Sequence, residues 1–307
     1  MIRFATSMLY RQSAINMGQQ QTALVKLQQQ MATGNRLLEN ADDPVASARL
    51  LGLKDELGRY DQYQRNSDLA NGRLNLEETV LEGAGEILQR SSELAIQANS
   101  GVLNDDNRKA IAGEIRQLRD ELLNLSNTQD GNGEYLFAGF KSDKPPFTTD
   151  TSNPPIVTYT GDAGQRLIQA GPTLNVAVND PGSAAFGSAT AVGTTDLFKT
   201  LGDFITALET PGSLSQTAAA TAQDGIKAGL TQVDGIRAKI GARMKALDDQ
   251  QNTNDDFAVH LKQTISDIGD LDYAEAATRL SREMLVLQAA QQSFVKVESL
   301  SLFNYMR

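Results

Sequence analysis

The most regular hydrophobic pattern in the chain lies near its C-terminus. Apolar residues follow one another there at alternating steps of four and three, with a single polar member. The stripe comprises Tyr273, Ala277, Leu280, Met284, Leu287, Gln291 and Phe294. This is the a/d spacing of a heptad, so it predicts a helix over about 273–301 with one face suited to another helix.

A second stripe lies near the N-terminus, where apolar residues recur at every seventh position. Its members are Tyr10, Met17, Leu24, Met31 and Leu38. The residues three positions further on are mostly polar or small, and they are Ser13, Gln20, Leu27 and Gly34. We interpret 7–31 as an amide-rich helix with a narrow apolar face. Because such a helix buries little area alone, we expect it to be poorly ordered in the isolated subunit and to order on assembly.

A linker follows this first helix. Gly34 breaks the helical pattern, and the sequence Asp42-Asp43-Pro44 precedes the next apolar repeat. Asp43 is predicted to cap a helix that begins with Pro44 and continues to about Leu57. The paired carboxylates could also suggest a divalent-ion site or an acid–base pair, but the helix cap is the better explanation.

Two further helices are predicted before residue 140. A wide apolar face marks a helix over 66–99, and a four–three repeat marks another that ends near Ser126, with Asp105 or Asp106 as its cap. The first face comprises Leu74, Leu81, Leu88 and Ala95 with Val80, Ile87 and Leu94. The second comprises Ile111, Ile115, Leu118, Leu122 and Leu125. We interpret both faces as the core of a helical bundle.

The composition changes between about 140 and 195, where prolines concentrate and the helical period disappears. The segments 156–160 and 165–170 flank a Gly-Asp-Ala-Gly loop, which predicts a β-hairpin. Alternation over 174–178 predicts another half-buried strand. We therefore expect a small β domain inserted into the helical body.

Helical pattern returns at Asp196 and again from about Leu214, and the second run includes a polar stretch over 250–256 that fits either a solvated helix or a loop. The residues 269–272 interrupt the pattern before the last helix. The predicted fold is therefore mainly α with a small β insert, in which the two terminal helices pair. Its predicted parts are a terminal helix over 1–40, a helical domain formed by 41–139 and 196–270, a β domain over 140–195, and a terminal helix over 271–307.

Composition narrows the possible functions. The formal net charge is −10, which disfavours a nucleic-acid groove or a polybasic membrane patch. The chain has no Cys and only one His, His260, which we expect to be an exposed helix residue. Most acid–base triads and most zinc sites are thereby removed. We therefore predict no catalytic, metal or cofactor residues. No run reaches the roughly 18 apolar residues of a membrane span, and Met1 to Tyr10 has no apolar run of signal-peptide length, so we also predict no membrane insertion and no cleaved signal peptide.

Three segments resemble the flagellin superfamily. The first is the linker, from Ala-Thr-Gly-Asn-Arg at 32–36 to Asp-Asp-Pro at 42–44, although Thr33 stands where Ser is usual. The second is Gly-Glu-Tyr-Leu-Phe-Ala-Gly at 133–139, which is similar to the hook–filament junction members and unlike a filament flagellin. The third is 272–281 with the tail 300–305. The resemblance covers about 1–140 and 200–307.

This resemblance implies a structural axial component of the bacterial flagellum that joins the hook to the filament by helical assembly of like subunits. It implies hook-associated protein 1, flagellin and a cytoplasmic export chaperone as partners. It also implies an extracellular location, reached in an unfolded state through the flagellar export channel. For the linker and cap we name Gly34, Arg36, Asp42, Asp43 and Pro44. The predicted assembly seam comprises Met17, Leu24, Leu27 and Met31 with Tyr273, Leu280, Met284, Leu287 and Phe294.

Two alternatives remain at this point. One is a filament-forming flagellin, against which the segment 135–139 and the tail 302–305 argue. The other is an enzyme carried on the β insert. Residues 140–195 contain no His, Cys or Glu, which leaves little for acid–base chemistry.

Overall fold

The computed structural model describes residues 2–99, 104–151, 155–188, 193–211 and 214–305. Seven helices and four short strands lie within these ranges. The helices are α1 Ile2–Thr33, α2 Pro44–Ala98, α3 Asp105–Ser126, α4 Gly182–Ala185, α5 Leu197–Glu209, α6 Gln216–Gly269 and α7 Tyr273–Tyr305. The strands are β1 Phe147–Thr149, β2 Val157–Tyr159, β3 Leu167–Gln169 and β4 Asn175–Ala177.

The chain separates into two compact units. The first unit comprises Met1–Arg59 with Phe257–Arg307, and the second comprises Tyr60–Asp256. The sequence-based boundaries at 40/41 and 270/271 fall inside the first unit, and those at 139/140 and 195/196 fall inside the second. The five-part division therefore stays a prediction.

Short polar side chains set where several helices begin. Asp43 Oδ1 accepts a hydrogen bond from the N–H of Ala46 at 3.0 Å, and α2 begins at Pro44 as expected. Asp196 accepts from the N–H of Lys199 in the same way at α5. At α3 the predicted cap was wrong. Asn104 is the cap, accepting from the N–H of Asn107 at 2.8 Å, and the two aspartates form the negative first turn behind it.

The core of the second unit is formed by the faces that the sequence predicted. Leu74, Leu81 and Leu88 of α2 are completely buried, as are Ile115 and Leu122 of α3. Helix α3 packs against α5. Buried side chains from 147–186 belong to the same hydrophobic cluster as these helices, and they are Phe147, Ala170, Val176, Val178, Ala185 and Phe186. The β segment and the helices thus share one core.

The strands pair differently from the sequence-based expectation. Strand β2 pairs antiparallel with β1, and β3 pairs antiparallel with β4, so 156–160 and 165–170 do not form one hairpin. The reason is that the loop between these two segments is bonded to residues outside the expected hairpin. Asp162 Oδ1 accepts from the N–H groups of Phe140 and Gly164 at 2.8 and 2.9 Å, and the Tyr159 hydroxyl donates to the Asp162 carbonyl at 2.7 Å. The strand predicted over 174–178 corresponds to β4.

The second half of the segment 133–139, from Leu136 to Gly139, is buried inside the second unit. Leu136, Phe137 and Ala138 are at most 1% exposed. Glu134 accepts hydrogen bonds from the guanidinium groups of Arg166 and Arg73, which hold the pKa of its carboxyl below the usual range. The ion pairs of Glu134 and the apolar packing of Leu136 and Phe137 therefore hold this segment in place.

A buried carboxyl joins α2 to the segment after β4. Glu77 is 1% exposed, and its Oε1 accepts from the N–H of Asp180 at 2.9 Å, whereas its buried Oε2 has no hydrogen-bond partner. Asp180 itself forms an ion pair with Arg243 of α6. Burial, reinforced by the negative charge of Asp180, raises the pKa of Glu77 to about 8. Glu77 therefore carries a proton at neutral pH.

The polar stretch 250–256 is helical and lies within α6. Asn254 is 1% exposed, and its amide donates to the Ala170 carbonyl at 2.9 Å. The polar residue thus satisfies a carbonyl at the turn between β3 and β4. His260 is exposed on α6, as predicted. Of the helices in the described ranges, none combines the length and apolarity that a membrane span requires.

Candidate assembly surface

The two terminal helices, α1 and α7, pack against each other in the first unit. The Gln20 amide donates a hydrogen bond to Glu283, and the Tyr273 hydroxyl donates to the Met31 carbonyl at 3.1 Å. Because the residue numbers rise on one helix as they fall on the other, the pairing is antiparallel. This register places Leu24 opposite Leu280 and Leu27 opposite Ala276.

On α1, both rows of the heptad are turned towards α7. The side chains less exposed than their neighbours are Ser13, Met17, Gln20, Leu24, Leu27 and Met31. Leu27 is the most buried of them, at 5% exposed. The sequence-based interpretation regarded the second row as mostly missing because it is largely polar. The four–three spacing of these positions is the signal that could have identified it.

On α7, the face turned inwards overlaps only partly with the predicted stripe. It consists of Ala276, Leu280, Glu283, Leu287, Ala290 and Phe294. The predicted seam residues Leu280, Leu287 and Phe294 thus face α1, whereas Met284 is 55% exposed. Tyr273 is 54% exposed but reaches α1 through its hydroxyl. Two alanines, Ala276 and Ala290, complete the inward face. Ala276 is 2% exposed.

A set of large apolar side chains on α1 and α7 remains uncovered. Between 45% and 75% of each of these side chains is exposed. They are Met8, Ile15 and Val25 on α1, and Met284, Leu285, Val286 and Val295 on α7. Exposed apolar residues are ordinary singly, but a group concentrated on one helix pair is typical of an interaction surface. The side chains of Tyr10 and of the tail 300–305 lie outside the described residues.

The linker between α1 and α2 is fastened to the residues that join α6 to α7. Gly34 adopts φ +73°, which ends α1, and its carbonyl accepts from the N–H of Leu271 at 2.8 Å. The N–H of Arg36 donates to the Gly269 carbonyl at 2.8 Å, and its guanidinium donates to the Ile268 carbonyl at 2.9 Å. We call these contacts between 34–36 and 268–271 the joint.

Asp42 organises the remainder of the linker. Its carboxylate pairs with Lys26 and accepts from the N–H groups of Leu38 and Glu39 at 3.1 and 3.3 Å. The bond from Lys26 and the bond from Leu38 hold the pKa of this carboxyl below its usual range. The pair Asp42–Asp43 therefore serves a turn and a helix cap, as the sequence indicated. Within the described parts of the chain, no cluster of three or more His, Asp or Glu side chains is arranged to hold a metal ion.

Comparison with known proteins identifies the family. The family model for the bacterial flagellin N-terminal helical region matches residues 4–142, and that for the C-terminal helical region matches 224–306. The chain belongs to the flagellin family. Its relatives include flagellar hook-associated protein 3 of Escherichia coli, 32% identical over 99% of both chains. Flagellar hook-associated protein 3 of Salmonella typhimurium is 30% identical over the full length of both.

Other matches to this flagellin-family chain are weaker or concern the fold alone. Flagellins from several bacteria match at 23% to 27% identity over 38% to 92% of the chain. The crystal structure of hook-associated protein 3 from Legionella pneumophila superposes with a TM-score of 0.62 at 22% identity. It covers 70% of this chain and 98% of that one. The full-length matches thus favour the hook-associated branch of the family.

Proposed function

We propose that this protein is a structural axial component of the bacterial flagellum that joins the hook to the filament. The observation that carries the proposal is the identity of 30% to 32% to proteins named hook-associated protein 3, which extends over the whole chain, including the β segment. The segment 133–139, which resembles the junction members of the superfamily, supports the same assignment.

The mechanism is mechanical assembly of like subunits. Exposed side chains such as Met284, Leu285 and Val286 are covered when neighbouring subunits add to the helix pair. Burying a fully exposed side chain of this size contributes about 1.5–3 kcal/mol. Because these side chains are already partly covered, each contributes less, and several per subunit must act together to offset the cost of association. If the rotation that relates one subunit to the next does not produce a closed ring, the subunits form a helical layer.

The terminal helices are expected to acquire their final order in this step. Their mutual interface contains polar layers, and much of their apolar surface lacks a partner within the subunit. The predicted assembly seam therefore includes two kinds of position: residues between α1 and α7, such as Leu287, and residues on the outer surface, such as Met284. Both kinds must be buried for the mature layer to form.

The proposed partners follow from the same assignment. They are further copies of this chain, hook-associated protein 1 on the hook side, flagellin on the filament side, and a cytoplasmic export chaperone. The apolar surface of α7 is suited to a chaperone because it is accessible before assembly. Export is proposed to proceed through the flagellar channel, which gives an extracellular site of action. No catalytic role is proposed.

Filament formation is the second candidate, because the matched family models are named for flagellin. A deletion strain separates the two functions. Under the junction proposal, electron microscopy shows hooks without filaments, and flagellin monomers appear in the medium. A strain that secretes no flagellin at all would instead identify this chain as the filament protein.

Complementation tests the role of the terminal helices. Leu287→Asp places a carboxylate opposite Met17, so we expect filaments to detach while the second unit remains folded. The control is the wild-type gene on the same plasmid, which should restore attached filaments. Normal motility with Leu287→Asp would contradict the proposed mechanism.

A further inference from the structure

The apolar layers between α1 and α7 do not define a unique alignment. Met17, Leu24 and Met31 repeat every seven residues on α1, and the half-buried Leu280, Leu287 and Phe294 do so on α7. Sliding one helix past the other by seven residues would again bring apolar side chains opposite one another. Apolar packing alone therefore accepts several registers.

The pair Gln20–Glu283 removes this ambiguity. In the observed register the Gln20 amide donates to the Glu283 carboxylate, so the polar groups at this layer satisfy each other. A slip of seven residues in one direction would place Glu283 opposite Leu27, which is 5% exposed. A slip in the other direction would place it opposite Ser13. Gln20 would then face Ala290 or Ala276, which offer no side-chain acceptor.

We propose that Gln20 and Glu283 form the specificity-determining layer that fixes the register of the terminal helix pair. A carboxylate placed against a buried leucine is strongly disfavoured, and a single polar layer in a coiled coil selects the alignment that pairs it. The proposal concerns the subunit itself and does not depend on where in the flagellum it assembles.

The joint is the competing explanation, because it also constrains α1 relative to α7. It lies at Gly34, fourteen residues beyond Gln20, or about 21 Å along a helix. A constraint at one end of the helix pair still allows the helices to change alignment further along, through a local change of helical twist or a bulge. The layer at Gln20 acts within the helix pair itself, so removing it should change the alignment even when the joint is intact.

Cysteine pairs can report the register, because the natural chain contains no cysteine. The full-length double variant Met17→Cys/Leu287→Cys reports the observed alignment. The double variant Met17→Cys/Phe294→Cys reports a slip of seven residues in one direction. The double variant Met17→Cys/Leu280→Cys reports a slip of seven residues in the other direction. Disulfide formation under mild oxidation is measured on the monomeric fraction by gel mobility.

In the natural background only the 17/287 pair should cross-link. Adding Gln20→Leu and Glu283→Leu should raise the slipped cross-links by roughly tenfold, the change expected when a preference of about 1.4 kcal/mol is lost. The matched control exchanges the partners, Gln20→Glu with Glu283→Gln, and should keep the 17/287 cross-link dominant. Exclusive 17/287 cross-linking in the leucine variant would show that the joint sets the register. Equal slippage in the exchanged variant would also overturn the proposal.

Discussion

The amphipathic faces of α2 and α7 look alike in the sequence but differ in the structure. In the second unit, Leu74, Leu81 and Leu88 of α2 are completely buried. On α7, Met284 and Leu285 are 55% and 67% exposed. A heptad pattern thus identifies a helix face that is suited to burial. It does not show whether the same subunit or a neighbouring one covers that face.

The geometry of a helix explains the difference. Met284, Leu285 and Val286 are consecutive, so their side chains point in directions about 100° apart. A single neighbour such as α1 covers only one side of α7. In the second unit, by contrast, α3, α5, α6 and the β segment all contribute to the cluster around α2. Helix α7 therefore keeps apolar side chains in contact with solvent, and the proposed assembly would cover them with neighbouring subunits.

The largest loss of stability is expected for a substitution in the core of the second unit. Leu81→Ala leaves a cavity in a completely buried site and should lower the free energy of unfolding by about 2–5 kcal/mol. Urea unfolding followed by circular dichroism measures it. The matched control on the same helix is Leu69→Ala, which removes a side chain that is 62% exposed and should change stability by less than about 0.5 kcal/mol. Equal losses in the two variants would contradict the assigned core.

The second prediction uses the protonated carboxyl of Glu77. The pKa is about 8 in the folded chain and near 4.5 when unfolded, so the folded state holds a proton that the unfolded state releases. The contribution of this group is therefore most favourable below pH 4.5 and declines by up to about 1.4 kcal/mol per pH unit as pH rises to 8.

Glu77→Gln should abolish this decline, because a neutral amide keeps a donor and an acceptor without titrating. Urea midpoints between pH 4.5 and 9 measure the slope, and the exposed Glu86→Gln on the same helix is the control. If Glu77→Gln leaves the pH dependence of stability unchanged, that dependence arises from other titratable groups.

The third prediction addresses the joint of the first unit. Gly34 has φ +73°, and a Cβ there would lie 3.2 Å from the Tyr273 hydroxyl. Gly34→Ala should therefore destabilise the joint by roughly 1–2 kcal/mol. Faster hydrogen exchange of the Arg36 amide is the measurement. The control is Gly18→Ala in α1, where a Cβ meets nothing within 4 Å and helix propensity should improve. Destabilisation by both substitutions alike would contradict a special role for Gly34.

Met284→Asp is predicted to have the smallest effect on stability. It is also predicted to have a large effect on assembly. Because this side chain already faces solvent, the free energy of unfolding of the subunit should change by less than about 0.5 kcal/mol. Filament attachment should nevertheless be lost, since a carboxylate would enter the proposed contact between subunits. Electron microscopy of the complemented deletion strain tests this, and attached filaments of normal number would exclude Met284 from the contact.

The sequence predicted the helices well because their periodicity is strong. The buried faces of α2 and α3, the break at Gly34, the cap at Asp43 and the return of helix at Asp196 are all confirmed. These features depend on neighbours within a few residues. Periodicity did not reveal that 44–57 and 66–99 belong to one helix, α2, since a weakly amphipathic stretch joins them.

Features that depend on distant residues were harder to predict. The loop at Asp162 looks like a hairpin turn locally, but its carboxylate bonds to Phe140, twenty-two residues away in the chain. Gln20 looks like a solvated amide until Glu283 is placed beside it. The predicted inward face of α7 differs from the observed one because alanines carry little hydrophobic signal, although Ala276 is only 2% exposed. In each case the deciding partner is absent from the local pattern.

The joint also constrains the order of events during synthesis of the chain. Arg36 and the carbonyl of Ile268 are 232 residues apart, so most of the polypeptide must be translated before this contact can close. Closing such a loop carries a larger entropic cost than any contact within one helix. The growing chain must therefore leave its first helix without its native partner until the residues of the joint and of α7 have been synthesised.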